Sequence, residues 1–397
     1  MPAESNVVDV LTALSSINAS TVTNDLNERT KALALSKQLT AALESPIDRA
    51  INCIFQPFDS ASIRMAVGLK LFDHLCTASG DLSSKQLSQL SGGDEILISR
   101  ILRIVAAAKF VNQTGPSTWR ANEITKVVAL PPISAGYRCD MLTRTAMYGT
   151  KFLEETGWKN PSEPRDGFFQ YANHTKLHLF DYLATQPELG ADFNMFMGAV
   201  GGSQSYWWDW YDIKGRLIDG FDKTKSNVML VDIGGGNGHD IQMFHEQFGA
   251  HHCGALVLQD MASVIAGIPS DQLDNKITRM GHDFFQEQPI KGARTYYLHH
   301  ILHDWSDKYC LQILAQLRSA MTPGYSKLVI HDLVLPDVGA TDVQARFDMA
   351  MMTINSGMER SKLQFTQLLE SAGFKVTTIF TWLDKDGIVE AEVVIGD

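Results

Sequence analysis

Through the C-terminal half of the chain, apolar runs of strand length alternate with segments of helical periodicity. Val228 to Val231 lead into Asp232 and a glycine-saturated turn, after which HDIQMFHEQF reads as a helix. GALVLQDM follows as a strand ending at Asp260, and a further apolar unit closes at Asp283 in GHDFF. TYYLHHILHDW runs as a strand to near His303, ahead of a helix that Ser306 or Asp304 could cap, and KLVIHDLVLPD ends another strand at Asp332. NSGMERSKLQFTQLLESAGFKV then sets Glu359 just before a helix. Strands alternating with helices predict an α/β domain built on a parallel sheet. Upstream, from about Ser60 to Leu130, SIRMAVGLKLFDHL, SSKQLSQLSG and DEILISRILRIVAAAKFV read as a small helical domain closed by a short hairpin carrying Trp119, the grammar of a winged helix.

The turn carries the strongest chemical signal. Gly234, Gly236 and Gly238 allow backbone to approach a ligand where a side chain would collide, and they tolerate positive φ. The helix behind them offers free N–H groups and a positive dipole end. Dinucleotide enzymes use G-x-G-x-x-G for a pyrophosphate; here the spacing is G-x-G-x-G after Asp232, which favours a ligand without one. A glycine triplet alone also fits a purely structural turn. A nucleoside-binding sheet should place an acid for the ribose about 20 residues on, and Asp260 and then Asp283 stand at successive strand ends, where ligands of open parallel sheets gather. A lone strand-end aspartate is otherwise a common helix cap. His303 lies at the same rim; an imidazole there can take a proton from a weakly acidic hydroxyl, although a histidine satisfied by backbone is the plain alternative. A carboxylate on its second ring nitrogen would aim it, and Glu359 and Asp332 are the candidates.

The segments DIGGGNG, QDMASVI, GHDFF, LHDWSD and GMERSKLQFTQLLESAGF, in this order, resemble the metal-independent, S-adenosylmethionine-dependent O-methyltransferases of natural-product pathways, the plant caffeate type and its fungal relatives. The resemblance covers nearly the whole chain, more loosely upstream. It implies a Rossmann-like class I methyltransferase domain preceded by an all-helical, winged-helix-like dimerisation domain, with long N-terminal helices such as SKQLTAALES interlocking two subunits of a homodimer. It further implies that Asp232, Gly234, Gly236, Gly238 and Met261 belong to the cofactor loop region, that Asp260 binds the ribose hydroxyls, and that Asp283 lies beside the adenine amino group. Phe284 and Trp305 would line the adenine pocket, His303 would be the general base, and Glu359 and Asp332 its acidic flanks. Two departures stand out: His299 occupies a position near the cofactor where relatives commonly carry lysine or arginine, and Gly-Met-Glu-Arg replaces Gly-Lys-Glu-Arg. The resemblance also sets Met349 and Met352 against an aromatic substrate.

Between the two domains, GFFQYANHTKLHLFDYL, ADFNMFMGAVGG and SYWWDWYD should roof the site, making Phe168, Phe169, Met195, Trp207, Trp208 and Trp210 candidates for an apolar acceptor pocket. Aromatic stripes at helical spacing are equally the mark of plain core. The expected domains are residues 1–132, a helical linker over 133–222 and a catalytic domain over 223–397, with Pro131-Pro132 closing the first. A DNA-binding use of the winged helix is opposed by six basic against four acidic residues from Asp81 to Leu130, a balance of +2 without a basic stripe, and by a net charge of −11 for the chain.

The 397 residues at 45% hydrophobic suffice for two cores. Five scattered cysteines suit reduced thiols, and no basic-then-apolar leader or run approaching roughly 18 apolar residues appears, so a soluble cytoplasmic protein with no membrane or nucleic-acid partner is expected. No metal is expected: no C-x-x-C or H-E-x-x-H occurs, and the adjacent pairs His251-His252 and His299-His300 should point apart if they lie on strands. The acceptor is expected to be a small molecule, an aromatic or polyketide hydroxyl. The rival use of the same fold is pericyclic: some fungal members hold the cofactor as a positively charged fixture while a substrate dehydrates or rearranges, and there a fixed cation tends to replace the base. Retention of His303, Asp304 and Glu359 favours methyl transfer. The same complete acid-base set disfavours a non-catalytic regulatory protein.

Overall fold

Five of the predicted apolar runs form a parallel sheet in the computed structural model, which describes residues 4–18, 20–201, 206–251, 254–382 and 385–394. The chain divides into two compact units, residues 1–138 and 139–397.

The first unit is helical, with a small sheet. The helix Glu95–Ala107 is capped by Asp94, whose side chain accepts from the Leu97 amide, and it buries Ile98, Ile101, Leu102 and Val105 at helical spacing. These pack with Leu71, Phe72, Leu75, Leu87 and Trp119 in one core. Strand β1 (Leu82–Ser83) pairs antiparallel with β3 (Thr118–Arg120), which also pairs with β2 (Asn112–Gly115). The sheet thus has three strands, so the unit is not all-helical; two residues are too few to register as a strand in a hydropathy pattern. Pro131 and Pro132 begin the helix Pro131–Arg138, and the compact division falls after that helix. Proline's fixed φ and missing N–H suit the first turn, so the pair starts an element.

The second unit is organised by β4 (Val228–Ile233), β5 (Ala255–Asp260), β6 (Ile277–Gly281), β7 (Thr295–His299), β8 (Lys327–Asp332), a short parallel pair β9 (Val334–Leu335) and β10 (Arg360–Ser361), then β11 (Phe374–Trp382) and β12 (Lys385–Val393). The main sheet has the order β11-β12-β8-β7-β4-β5-β6, with β4 to β8 parallel and β12 antiparallel between β8 and β11. Both faces are covered: Val231, Leu298, Ile330 and Phe365 belong to one core, while Leu230, Leu258, Phe244 and Trp207 belong to another. Burial on both sides explains why these strands read as continuous apolar runs. The order reverses beside β4, the position at which open α/β sheets form a crevice at their carboxyl ends. A smaller core gathers Met141, Phe169, Leu179 and Leu183 from the helices ahead of the sheet with Ile354 of the helix Asp342–Asn355. No described helix is long and apolar enough to cross a membrane.

Candidate active site

At the end of β4 the chain turns through Gly234, Gly236 and Gly238 with φ of 70°, 56° and 78°, the left-handed region in which a side chain is strained. A Cβ on Gly234 would lie 2.5 Å from Ile301 and 3.6 Å from Phe284, whereas one on Gly236 would meet nothing within 4 Å. The loop is therefore packed from below and open above, a cradle for a ligand. Asp260, at the end of β5, accepts from the Gly236 amide (2.8 Å) and from the Met261 amide (2.7 Å), which draws the two strand ends together. Burial nevertheless raises its carboxyl above the usual range. Met261 itself is exposed. Beneath the loop Asp232 is wholly buried, with neither carboxylate oxygen hydrogen-bonded, and burial followed by the Asp240 charge pushes its pKa well up. Asp283 accepts from the Phe285 amide at 3.0 Å and so fixes the turn after β6. Phe284 and Phe285 meet Trp305 edge-on at 6.0 and 4.8 Å, and Trp305 stacks on His178 at 5.3 Å.

His303 sits in the one-turn 3-10 helix Leu302–Asp304 that follows β7. Its Nδ1 lies 2.9 Å from Glu359 Oε1, and its Nε2 is 3.7 Å from Asp304 Oδ1, beyond a hydrogen bond. Burial opposes a charge on this ring, but the Glu359 hydrogen bond and charge prevail and raise it to about 10. Asp304 accepts from Asn355, and Glu359 is anchored by its amide to Asp348 at 3.0 Å. Asp332 is fully buried with both oxygens unbonded; burial first, then Glu359, lifts it to about 7 despite the lowering effect of His303. The ring is thus hydrogen-bonded to Glu359 and stacked on His300 at 4.9 Å, and Asp332 acts on it through space.

Three features of the site escape a reading by motif. Arg360, buried to 1% exposure, donates to the Leu302 and Trp305 carbonyls at 2.8 Å and to Asp307 at 2.8 and 3.0 Å, clamping the His303 segment from both ends. Gly357 lies against the same segment so closely that a Cβ would overlap the His303 carbonyl oxygen. The third is a cluster around His299. Its Nδ1 lies 2.5 Å from Asp240, and Asp386 approaches its Nε2 at 3.8 Å and the His300 Nε2 at 3.1 Å. His331 stacks on His299 at 4.1 Å and bonds the Tyr297 hydroxyl through Nδ1 at 2.8 Å. Burial works against a charge on His299, but Asp240 and Asp386 raise it to about 10, whereas burial and the neighbouring His299 drive His331 well down. The expectation that His299 and His300 point apart fails: His300 leaves the strand with a φ of 54°, and the two rings lie 4.3 Å apart. His252 of the other pair lies outside the described residues.

The candidates for the acceptor pocket are dispersed. Phe169 is wholly enclosed in the helical core and Phe168 packs edge-on against Phe152 at 5.1 Å. Trp207 is buried flat against Tyr297 at 4.7 Å, backing the histidine cluster, with Trp208 and Trp210 half-buried around it; Ser205 of this cluster lies outside the described residues. Phe169 and Trp207 therefore belong to cores, with Trp208 and Trp210 packed against the second. Met195 and Met349 are exposed and Met352 is half-buried on the helix Asp342–Asn355 that precedes Glu359.

A family profile described as an O-methyltransferase domain matches residues 164–375. O-methyltransferase penC of Penicillium thymicola is 42% identical over 93% of this chain and 92% of its own. Among solved structures, LepI in complex with S-adenosylmethionine superposes with a TM-score of 0.82 at 27% identity, covering 99% of this chain and 100% of that one. A structure described as a pericyclic reaction enzyme gives 0.81 at 26%, with the same coverage.

Proposed function

Since this chain belongs to the S-adenosylmethionine-dependent O-methyltransferase family, we propose that it methylates a hydroxyl of an aromatic or polyketide-type secondary metabolite, with His303 as general base. The cofactor, when bound, supplies an electrophilic methyl group on a sulfonium centre. The residues at the strand ends fit it: the open face above Gly236 admits a ligand, Asp260 offers a carboxylate for the ribose hydroxyls, and Asp283, Phe284 and Trp305 form a side for the adenine. Asp232 shapes the loop from beneath, and His299 stands near the cofactor where relatives commonly carry lysine or arginine.

The acceptor is bound with its O–H directed at His303 Nε2. Nδ1 is committed to Glu359, so the proton leaving the acceptor oxygen goes to Nε2 and the imidazolium that forms is stabilised by the carboxylate. Asp332 contributes through space. Held in line by these residues, the acceptor oxygen would take the methyl group that the cofactor supplies, with the neutral thioether as leaving group, and positioning would supply much of the rate. Met349 and Met352, on the helix leading to Glu359, suit a flat acceptor because thioethers adapt to varied aromatic shapes. The observation that carries this reading is the 2.9 Å contact between His303 and Glu359.

The experiment is turnover of candidate phenols and enols followed by formation of S-adenosylhomocysteine. His303→Gln should bind the cofactor normally and lose about 10²- to 10⁴-fold in kcat; unchanged turnover removes the base assignment. The likeness to a pericyclic enzyme gives a second reading its own outcome: conversion of a substrate with no S-adenosylhomocysteine formed.

The same reading includes a homodimer. The helices Leu26–Leu43 and Pro46–Phe55 bury none of their residues within the chain, and Leu26, Leu43, Ile47, Ile54 and Phe55 stand exposed. Apolar helical faces of this extent call for a partner surface, and the family resemblance supplies a second copy.

A further inference from the structure

We propose that His299, His331 and Asp386 form a binding site for a divalent transition-metal ion of the zinc class, distinct from the His303–Glu359 pair that takes the acceptor proton. One ligand atom from each residue lies within 4.8 Å of the other two. The three come from adjacent strands: His299 and His331 are register partners on β7 and β8, and Asp386 is on β12, one residue before the pairing of Gly387 with Asp332. Zinc–nitrogen bonds of about 2.0–2.1 Å require these atoms to draw together by about an ångström.

Two independent observations point to an ion. The first is the Nε2 of His299, which is buried with no hydrogen-bond partner, Asp386 standing off at 3.8 Å, so that an ion bound there would take the place of its proton. A ring nitrogen shut away from water without a partner is costly unless something else occupies it. The second is the surroundings of the rings. Metal-ligating histidines hand their other nitrogen to a carboxylate or similar acceptor, which fixes the ring and sharpens its basicity. His299 does so to Asp240 at 2.5 Å and His331 to the Tyr297 hydroxyl at 2.8 Å, so in both cases Nδ1 is engaged and Nε2 is left for the cluster. Two imidazoles and one carboxylate select zinc, cobalt or nickel over magnesium or calcium, and three protein ligands leave a fourth position open. His300, 3.1 Å from the same Asp386 oxygen, competes for that carboxylate when no ion is held. Bound here, the ion would tie β12 to the ends of β7 and β8, and through Asp240 to the first turn of the helix behind the glycine loop.

The test uses the untagged full-length chain loaded with Zn²⁺ or Co²⁺, desalted and assayed for metal by mass spectrometry, with the visible absorption of the cobalt form as a second readout. One ion per chain and a cobalt spectrum are expected, both lost in His331→Ala and Asp386→Asn. Asp240→Asn, which keeps all three ligands, should weaken affinity by about 10- to 100-fold. His303→Gln should bind the metal like the unaltered chain, so a failure here is distinguishable from a failure of the base assignment. Well under one ion per chain overturns the proposal, as does stoichiometry that survives both ligand substitutions or is lost in His303→Gln. If a ligand variant does not fold, Asp240→Asn decides: unaltered affinity there also overturns it.

Discussion

An imidazole serves as a base only when one nitrogen is held and the other is free, and the Glu359 carboxylate 2.9 Å from His303 sets how strongly the ring grips a proton. With the ring raised to about 10, the ligand-free site carries the proton at neutral pH, while phenols titrate near 10 as well. Exchange of the proton between acceptor and ring is then nearly balanced, but the productive complex holds one proton fewer than the free site. Below about 10, kcat/KM is accordingly expected to rise about tenfold per pH unit. Glu359→Gln removes the largest raising influence and leaves burial opposed only by Asp304 and Asp332, so the bend in the profile moves down from about 10. A pH–rate profile unchanged by that substitution would contradict the coupling. For stability the sign is the same as for any group whose pKa is raised on folding: the pair contributes fully below about 6.5, and that contribution fades as pH climbs towards about 10. The pairing of His303 with Glu359 is legible because each residue ends or begins an element inside a continuous motif. Asp386 is not, since it lies in a polar stretch far along the chain and meets His300 only once β12 inserts antiparallel beside β8.

The 3-10 turn Leu302–Asp304 is too short to hold itself, and its position is set by what presses on it. Met358 donates its amide to the His303 carbonyl at 2.9 Å, Arg360 takes up the carbonyls on either side, and the bare Gly357 lets the two segments touch. Gly357→Ala should therefore push His303 out of line while leaving the sheet intact. A displacement of an ångström costs about 10²-fold in rate, so kcat should drop by at least that much with circular dichroism unchanged. Normal turnover would show that the turn can yield. Arg360→Met should act on stability instead, because it removes two buried hydrogen bonds from a charged donor, about 1.5–3 kcal/mol each, measured by thermal or urea unfolding. At this scale the sequence pattern reads strands well, since both faces of β4, β5, β7 and β8 are buried and their apolar runs are unbroken. It reads aromatic clusters poorly. Trp207 and Phe169 look the same in a string of letters whether they face an acceptor or a core, and only packing against Tyr297 and Leu179 decides it.

For the whole molecule, the division into a helical unit and a catalytic unit follows from the change in periodicity near the prolines, while its position depends on which side the helix Pro131–Arg138 packs, a tertiary choice no local pattern encodes. The first unit also leaves something unbalanced. Its core is complete around Trp119, Leu102 and Phe72, yet Ile47 and Ile54 remain 69% and 70% exposed on a helix whose apolar residues align on one side. Side chains so placed add nothing to the chain's own stability, so the double substitution Ile47→Glu, Ile54→Glu should leave the thermal midpoint of an isolated protomer unchanged. It should instead act between copies: charges buried across an apolar contact are costly unless paired, and the variant should sediment at half the mass of the unaltered protein at micromolar concentration. An unaltered chain that sediments as a monomer, or a charged variant that still sediments as a dimer, would show that this face is not where two copies meet.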